Sequence, residues 1–124
     1  MIQGIGTDIF EVRRMAELAD RGRQHLTAIF TKNEIDYCES KAKKHEHYAA
    51  RYAAKEAVLK ALGTGWRDGL SFPDVEILND ELGKPLVVLH GKAKKLFEEQ
   101  KIEKILVSLS HTSDTAVAVA ILEK

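Results

Sequence analysis

Cysteine and net charge are the two scarcest features of this 124-residue sequence. Its one cysteine, Cys38, excludes an intramolecular disulfide and a cysteine-rich metal site, and it suits a reducing compartment. The 19 Lys and Arg residues balance 19 Asp and Glu residues, so the whole chain has no basic field that would gather nucleic acid or an anionic membrane. We therefore expect neither a nucleic-acid partner nor a membrane partner.

Long hydrophobic runs and a basic leader are also lacking. The longest apolar run, residues 116–122, is far shorter than the roughly 20 residues that span a bilayer. The first residues show no small-residue cleavage site, so we expect no secretion signal and a cytoplasmic location. A length of 124 residues with a hydrophobic fraction of 44% predicts one domain, residues 1–124, around one core.

The first residues predict a short strand followed by a helix. Residues 2–8 alternate weakly in polarity, and Gly4 and Gly6 would weaken a strand there unless another element approaches its backbone closely. Asp8 and Glu11 have the spacing of an N-cap pair, with Asp in place of the usual Ser or Thr. The pattern therefore predicts that the first helix begins directly after residue 8.

Two later helices have clearer boundaries. Thr31 and Glu34 form a capping box, which predicts a helix that runs to about residue 40. The most regular helix is predicted over residues 46–62, where alanines fall on one narrow face and would allow a close approach to a neighbouring element. Gly63 should end this helix with a left-handed cap.

The second half of the chain is dominated by predicted strands. They are residues 75–78, 86–89, 104–110 and 115–122, with an amphipathic helix at residues 92–100. The last strand is apolar on both faces, so we expect it to be buried on both sides. Helices first and mostly antiparallel strands later predict an α+β fold, in which an antiparallel sheet packs against the long alanine-rich helix.

Asp8, Glu56 and Lys60 form the first candidate site. Taken alone, Glu56 and Lys60 have the i,i+4 spacing of a surface ion pair, and Asp8 fits a helix cap. The functional interpretation is a Mg²⁺ site, because Mg²⁺ needs only one or two protein carboxylates when phosphate completes its shell. Lys60 would then bind phosphate beside the ion.

His111 is a second candidate, since it lies between two apolar strands in the segment Ser-His-Thr-Ser-Asp, residues 110–114. It fits a polar turn residue, and it equally fits a hydrogen-bond donor to a phosphate or a ribose. The sequence contains no Gly-rich Walker loop and no Gly-x-Ser-x-Gly elbow. Local chemistry therefore indicates a magnesium and phosphate site and no more.

Two motifs at a fixed spacing extend this interpretation. They are Gly-Ile-Gly-Thr-Asp-Ile at residues 4–9 and Arg-Tyr-Ala-Ala-Lys-Glu-Ala-Val-Leu-Lys-Ala at residues 51–61. Together they resemble the holo-acyl-carrier-protein synthases, the small group of 4′-phosphopantetheinyl transferases. Further matches at residues 63–65, 83–85 and 108–112 extend the resemblance over essentially the whole chain.

The resemblance implies a function. Such enzymes move the phosphopantetheine arm of coenzyme A to a serine of apo-acyl carrier protein, release adenosine 3′,5′-bisphosphate and support fatty acid biosynthesis. It implies that Asp8 and Glu56 hold Mg²⁺ and that Lys60 contacts phosphate, while Glu56 or a metal-bound water accepts the serine proton. The implied coenzyme A site consists of Lys60, Gly63, Thr64, Gly65, Pro85 and His111.

The resemblance also implies partners. Arg14 and Arg21, on or near the first helix, would face the acidic carrier protein, although the same arginines fit a solvated amphipathic helix. The family is trimeric, so we expect a homotrimer with active sites between subunits. Tyr52 departs from the family, where Phe or Trp is more usual; a buried hydroxyl there needs a partner, and we interpret the position as packing.

Two other functions stay open. A non-catalytic module that binds carrier protein would dock without Mg²⁺-dependent chemistry, and the intact Asp8, Glu56 and Lys60 argue against it. A different Mg²⁺-dependent phosphate enzyme, such as a nucleotide hydrolase, would turn over coenzyme A or nucleotides with no carrier protein present.

Overall fold

The computed structural model describes residues 1–63, 65 and 69–124. Within these residues the elements follow in the order β1 Ile2–Glu11, α1 Val12–Asp20, α2 Arg23–Thr27, α3 Lys32–Glu39, α4 Lys44–Leu62, β2 Val75–Asn79, β3 Pro85–Leu89, α5 Gly91–Glu99, β4 Lys104–His111 and β5 Thr115–Glu123. A 3₁₀ turn, Phe72–Asp74, leads into β2. Among the described residues, no helix combines the length and the apolar composition that crossing a membrane requires.

The strands form two antiparallel sheets. β1, β5 and β4 make a three-stranded sheet in that order, and β2 pairs with β3 in a separate ribbon. The long helix α4 packs across β1, β5 and β4. The predicted α+β fold, with an antiparallel sheet against the alanine-rich helix, is therefore confirmed.

Gly4 and Gly6 mark the closest approach between β1 and α4. A Cβ atom at Gly4 would lie 2.1 Å from the carbonyl oxygen of Ala61, and one at Gly6 would lie 2.1 Å from that of Ala57. Any side chain at either position would therefore push the strand away from the helix. This contact explains both the glycines in β1 and the small side chains on α4, as the sequence predicted.

The predicted helix boundary after residue 8 is wrong. β1 continues to Glu11, because its ladder with β5 extends through the pair Glu11–Thr115, and Asp8 lies inside that ladder opposite Ala118. α1 begins at Val12, and Glu11 at its N-cap makes no side-chain capping hydrogen bond. Asp8 is therefore a strand residue rather than a helix cap, and long-range pairing overrides the local capping pattern.

The boundaries of α3 and α4 follow the sequence closely. Thr31 Oγ1 accepts a hydrogen bond from the backbone N–H of Glu34 at 3.2 Å, and Glu34 Oε1 accepts one from the N–H of Thr31 at 2.8 Å, so the capping box is present. α4 begins at Lys44 rather than residue 46. Gly63 caps it with a positive φ of 86°, as predicted.

α4 joins two adjoining groups of buried side chains. One lies between α4, β2, β5 and α5, and its largest members are Phe97, Leu59, Ile77 and Leu122. The other lies between the first half of α4 and the helices α1 to α3, and its largest members are Tyr48, Phe30, Met15 and Ile35. The helix that carries the second sequence motif is thus held from both sides.

The two faces of β5 differ in burial. Ala116, Ala118, Ala120 and Leu122 face α4 and are fully buried. On the other face Val117 is 41% exposed, and its β1 neighbour Ile9 is 69% exposed. We predicted that β5 would be buried on both faces. In a single chain, this prediction holds only for the face that packs against α4. We call the open side, which also includes Ile5 and Ile121, the outer face of the sheet.

Candidate functional site

Asp8 and Lys60 meet where β1 passes α4. Asp8 lies on the same side of β1 as Gly6 and Phe10, and this side faces α4. Lys60 Nζ donates a hydrogen bond to Asp8 Oδ1 at 2.9 Å. The Asp8 side chain is only 13% exposed, whereas that of Lys60 is 54% exposed. Lys60 thus pairs with an acid 52 residues away, rather than simply with Glu56 one turn before it.

The charge of Lys60 is held by both acids. Its hydrogen bond to Asp8 is the main reason that the pKa of Lys60 is raised; slight burial opposes this effect, and the charges of Asp8 and Glu56 add to it. An ammonium group therefore already lies against the Asp8 carboxylate, within the electrostatic range of Glu56. We call Asp8, Glu56 and Lys60 the acid–lysine cluster.

Tyr52 precedes Glu56 by one helical turn on α4. The Tyr52 ring lies 4.5 Å from the Phe10 ring and stacks on the Phe72 ring at 5.3 Å, measured between centroids. Burial raises the pKa of Tyr52 most, and the charge of Glu56 and a hydrogen bond with it, followed by the charge of Asp8, raise the pKa further, to about 12. Both acids of the cluster therefore lie close enough to Tyr52 to act on its hydroxyl.

A buried ion pair fixes the backbone of α4 next to Glu56. Lys55 and Glu34 are both fully buried, and Lys55 Nζ lies 2.8 Å from Glu34 Oε1. The same ammonium donates to the carbonyl oxygens of Val75 at 2.6 Å and Phe72 at 3.1 Å. Burial lowers the pKa of Lys55, and Glu34 opposes that effect. Removing one partner of such a pair costs about 3–5 kcal/mol, so this contact holds α3, α4 and β2 together.

The donor set fits a hard divalent cation that phosphate oxygens complete. Within the described ranges there is no group of three or more His, Cys, Asp and Glu side chains suited to a metal ion. Asp8 and Glu56 supply two carboxylates, and both act on Lys60 and Tyr52, so they lie close to the same point. Two carboxylates are sufficient for Mg²⁺ when substrate phosphates and water supply its other ligands.

Another set of candidate residues surrounds a cavity of about 230 Å³. Two residues named from the sequence, Pro85 and His111, line it. Its further lining includes Tyr37, His47, Arg51 and Asn79. We call this cavity the Arg51 pocket, because its most buried charged side chain is Arg51, which is 4% exposed.

Arg51 has unused hydrogen-bonding capacity. Its guanidinium carbon lies 3.9 Å from the centroid of the Tyr37 ring, and Nη2 donates a hydrogen bond to Asn79 Oδ1. Its Nε atom is buried, and no hydrogen-bond partner for it occurs in the part of the chain that the structure describes. Buried polar groups normally have partners, and an unsatisfied one costs about 1–3 kcal/mol. The pocket therefore suits an anionic ligand.

His111 lies at the rim of the Arg51 pocket. It is the last residue of β4, and its Nδ1 atom lies 2.9 Å from Glu46 Oε1. Its ring is 5.0 Å from that of His47, whose pKa is lowered by burial first and by His111 second. His111 is thus tied to the start of α4 and is more than a turn residue.

The loop after α4 is described only in part. Gly63 and Gly65 both have positive φ angles, 86° and 67°. Thr64, also named as a coenzyme A residue from the sequence, lies outside the described residues.

The structure separates the predicted site residues into two groups. Arg51 and Glu56 are about 140° apart around α4, at roughly 100° per residue. None of Asp8, Glu56 and Lys60 lines the Arg51 pocket. One chain therefore brings Asp8, Glu56 and Lys60 together, and Pro85 with His111, but it does not bring these two groups into one cavity.

Arg51, His47, Tyr37 and Asn79 were not identified as functional from the sequence. A signal was present for two of them: His47 and Arg51 are four residues apart on a predicted helix and therefore share a face. Asn79 and Tyr37 had no such signal, because their contacts with Arg51 depend on how distant segments fold together.

The predicted docking arginines lie at two ends of α1. Arg14, in its first turn, places its guanidinium carbon 4.9 Å from the centroid of the Phe10 ring. Arg21 is the residue that caps the end of α1. Both are exposed. Arg14 also acts on Tyr52, so it lies near the acid–lysine cluster.

Comparisons with known proteins agree on one family. Residues 4–120 match the family model described as the 4′-phosphopantetheinyl transferase superfamily. The chain is 47% identical, over 125 aligned residues and 100% of both chains, to a holo-[acyl-carrier-protein] synthase of Geobacter sp. (strain M21).

Solved structures agree with the sequence relatives. The crystal structure of holo-[acyl-carrier-protein] synthase from Neisseria meningitidis has a TM-score of 0.91 and 38% identity, and the match covers 100% of both chains. The Bacillus anthracis synthase in complex with CoA (3′,5′-ADP) has a TM-score of 0.81 and 35% identity, covering 98% of this chain and 96% of that one. The chain therefore belongs to the 4′-phosphopantetheinyl transferase superfamily and is a transferase of the holo-[acyl-carrier-protein] synthase type.

Proposed function

We propose that the chain transfers the 4′-phosphopantetheine group of coenzyme A to a serine of apo-acyl carrier protein and releases adenosine 3′,5′-bisphosphate. The observation that carries the proposal is the acid–lysine cluster, in which Lys60 Nζ is 2.9 Å from Asp8 Oδ1. Its three residues lie in the two motifs that match the family. Curated relatives carry the name of this activity, and a similar structure is described as a complex with CoA.

The chemistry asks little covalent work of this chain. The serine of the carrier protein is the nucleophile, so the chain must position the two substrates and neutralise charge at a pyrophosphate. Asp8 and Glu56 would hold Mg²⁺, which when bound would stabilise charge on the phosphate oxygens. Lys60, whose side chain is exposed, would contact the same phosphates with its ammonium group. We assign acceptance of the serine proton to Glu56, because Asp8 rather than Glu56 accepts the hydrogen bond from Lys60.

The Arg51 pocket supports the binding of coenzyme A. A nucleotide with phosphate groups would satisfy the buried Nε of Arg51, and His111 at the rim has one ring nitrogen beyond its contact with Glu46. Pro85 lies in the same lining. We assign coenzyme A to Lys60, Gly63, Thr64, Gly65, Pro85 and His111, and add Arg51 to this set.

A homotrimer would explain two features of the single chain. Asp8 and His111 both lie on the side of the sheet that faces α4. They are nevertheless on the two outer strands, β1 and β4, which lie about 10 Å apart on either side of β5, and α4 packs between them. The outer face of the sheet exposes Ile5 by 66% and Ile9 by 69%. A symmetric assembly that covers this face could bring the acid–lysine cluster of one subunit to the Arg51 pocket of the next.

The remaining parts of the proposal concern context. Arg14 and Arg21 would meet acidic side chains of the carrier protein, since complementary charge raises encounter rates. We place the enzyme in the cytoplasm, as one domain over residues 1–124, with a role in fatty acid biosynthesis. The single cysteine is consistent with a reducing compartment: Cys38 is buried, and burial raises the pKa of its thiol to about 12.

Intact-protein mass spectrometry tests the proposal. Apo-acyl carrier protein is incubated with the chain, coenzyme A and Mg²⁺, beside a control with EDTA. We expect a Mg²⁺-dependent mass gain of one phosphopantetheine group. Docking of the carrier protein with no mass gain would indicate the non-catalytic module. Breakdown of coenzyme A without the carrier protein would indicate a hydrolase.

A further inference from the structure

The backbone of His111 is fixed by the hairpin that follows it. His111 is the last residue of β4 and lies opposite Ala116 in the ladder with β5. The backbone N–H of Thr112 donates a hydrogen bond to the carbonyl oxygen of Thr115 at 2.8 Å, which closes the turn directly after His111. Only the two side-chain torsions of His111 remain to be set, and they decide which ring nitrogen a ligand meets.

Two neighbours on α4 set the orientation of the His111 ring. Glu46 Oε1 lies 2.9 Å from its Nδ1 atom, across 65 residues of sequence. The ring of His47 lies 5.0 Å from that of His111, measured between centroids, with an interplanar angle of 63°. His47 is itself packed against the ring of Tyr37 at 5.8 Å. The imidazole of His111 is therefore held between a carboxylate and an aromatic neighbour.

Glu46 is a well-placed anchor that lies outside the cavity. It belongs to the first turn of α4, where the helix dipole favours a carboxylate, and its side chain is only 12% exposed. His111 and His47 line the Arg51 pocket, whereas Glu46 does not. Glu46 would therefore act on a ligand in the pocket through His111 rather than by direct contact.

The hydrogen bond assigns the two ring nitrogens of His111. A carboxylate can only accept a hydrogen bond, so Nδ1 carries the hydrogen that lies between the two side chains. Nε2 is then the nitrogen that remains for a ligand. In the neutral ring it would accept a hydrogen bond from a ribose hydroxyl. After proton uptake it would donate one to a phosphate oxygen, and the charge of Glu46 would offset that of the imidazolium.

We propose that Glu46 is a positioning residue for His111: its carboxylate holds the hydrogen of Nδ1 and thereby turns Nε2 to a nucleotide in the Arg51 pocket. This inference rests on the proposed function, which gives His111 a place in the coenzyme A site. The hydrogen bond that one ring nitrogen makes decides what the other nitrogen can do. Without Glu46, the ring of His111 would rotate and exchange its tautomers, and only some of these states would bind the nucleotide.

Direct binding of coenzyme A provides the first test. Its dissociation constant is measured by isothermal titration calorimetry without carrier protein, so that no transfer reaction is needed. We expect Glu46→Ala to weaken coenzyme A binding on the order of 10-fold, the range of one hydrogen bond to a charged group. Glu46→Gln keeps an acceptor oxygen but not its charge, and it should restore part of the loss, to about threefold weaker than the wild type.

A double-mutant cycle shows whether Glu46 acts through His111. In a His111→Ala background, Glu46→Ala should weaken coenzyme A binding by no more than about twofold, because the side chain that it positions is already absent. A full 10-fold loss in that background would overturn the positioning role. So would an unchanged dissociation constant in His111→Ala alone, since His111 would then have no part in binding.

Glu76→Gln is the matched control. Glu76 Oε1 lies 2.9 Å from Nε2 of His90, so this substitution removes the charge from a second pair of histidine and carboxylate. Neither residue lines the Arg51 pocket. We expect coenzyme A binding per folded molecule to stay within about twofold of the wild-type value. A loss equal to that of Glu46→Gln would indicate a general effect of breaking such a pair, and would overturn the specific role of Glu46.

The tautomers of the ligand-free protein separate this inference from the proposed function. With ¹⁵N-labelled histidine at alkaline pH, the wild type should carry its hydrogen on Nδ1 in His111 and on Nε2 in His90, as their carboxylate partners require. Glu46→Ala should change the His111 signals and leave those of His90 in place. Unchanged His111 signals would overturn the positioning role alone.

Two outcomes for the wild type complete the test. If these binding and tautomer results hold but apo-acyl carrier protein gains no phosphopantetheine, the proposed reaction fails and the positioning of His111 by Glu46 stands. If the wild type binds no coenzyme A, the assignment of the Arg51 pocket fails, and the role of Glu46 is overturned with it.

Discussion

The two sides of α4 carry different chemistry. One side presents Tyr52, Glu56 and Lys60, where carboxylates meet an exposed ammonium group at the edge of the sheet. The other presents His47 and Arg51, where a buried guanidinium faces a cavity and its Nε atom has no hydrogen-bond partner among the described residues. The first side suits a cation and phosphate, and the second suits an anion enclosed by protein.

The difference is the reason that we propose an assembly of several copies. Because α4 is one continuous helix, it holds the two sets of side chains in directions about 140° apart. In the proposed homotrimer, a substrate that uses both sets would meet them in neighbouring copies of the chain. The open outer face of the sheet, with Ile5 and Ile9 exposed, supplies a surface on which copies could associate.

Substitutions in the acid–lysine cluster should have the largest effect on the transfer rate. Asp8→Ala and Glu56→Ala each remove a carboxylate from the proposed cation site, which is expected to cost several kcal/mol of transition-state stabilisation, or on the order of 10³-fold in transfer rate. Mass gain of apo-acyl carrier protein over time measures the rate. Asp36→Ala, which removes an exposed acid paired with Lys32, is the control. Near-normal transfer by either cluster variant would contradict the metal assignment.

Mixing two inactive chains tests whether the two sides work across subunits. Glu56→Ala damages the acid–lysine side, and His111→Ala damages the pocket side, with coenzyme A kept well below its KM. Equal amounts of the two variants are refolded together. The mixture should give about one quarter of the wild-type rate, because random assembly pairs an intact acid–lysine side with an intact pocket side at that share of the interfaces. Sedimentation of the wild type should show a trimer. A mixture no more active than the mean of its two components would place the whole site in one chain.

Local sequence was a reliable guide where structure is decided within a few residues. The capping box of Thr31 and Glu34, the extent of α4 and the left-handed Gly63 all follow from contacts between near neighbours. The glycines of β1 also gave a correct indication, because a close backbone approach is one of few reasons to place Gly in a strand.

Long-range pairing decided what the sequence could not. Asp8 has the local pattern of a helix cap, and only its place opposite Ala118 in the ladder shows that it is a strand residue. Arg51 is the first residue of the second motif, yet its placement depends on Asn79, 28 residues away, and on the ring of Tyr37. Such contacts are set by tertiary packing, for which a single sequence has no periodic signal.

A substitution at Arg14 should weaken the use of carrier protein and leave both sides of α4 unchanged. Arg14→Glu reverses an exposed charge next to Phe10, and we expect kcat/KM for carrier protein to fall about 10-fold, with a smaller deficit at high salt because surface charge is screened. The KM for coenzyme A should be unchanged. Lys95→Glu on α5 makes the same charge change on another exposed surface and is the control. A defect confined to coenzyme A would contradict the docking role.

Replacing Glu76, which lies outside both sides of α4, should have the smallest effect. Its buried carboxylate lies 2.9 Å from His90 Nε2 and accepts hydrogen bonds from Thr31 Oγ1 at 2.5 Å and Asn33 Nδ2 at 3.3 Å. Burial raises its pKa, but the hydrogen bonds from Thr31, His90 and Asn33 outweigh burial and lower the pKa below the ordinary 4.5. Because the folded pKa is lowered, the ionised carboxylate stabilises the fold above pH 4.5, and this contribution is lost as pH falls through the folded pKa.

Urea unfolding across pH measures that contribution. Glu76→Gln should lower the free energy of unfolding by about 1–3 kcal/mol at pH 7, since buried partners lose a charged acceptor. The gap to the wild type should narrow below pH 4.5, where the wild-type carboxylate also takes up its proton. The transfer rate per folded molecule at pH 7 should not change, because Glu76 touches neither the acid–lysine cluster nor the Arg51 pocket. A gap that is constant with pH would show that the charge of Glu76 does not support the fold, whereas a slower folded enzyme would show that the two sides of α4 are coupled through β2.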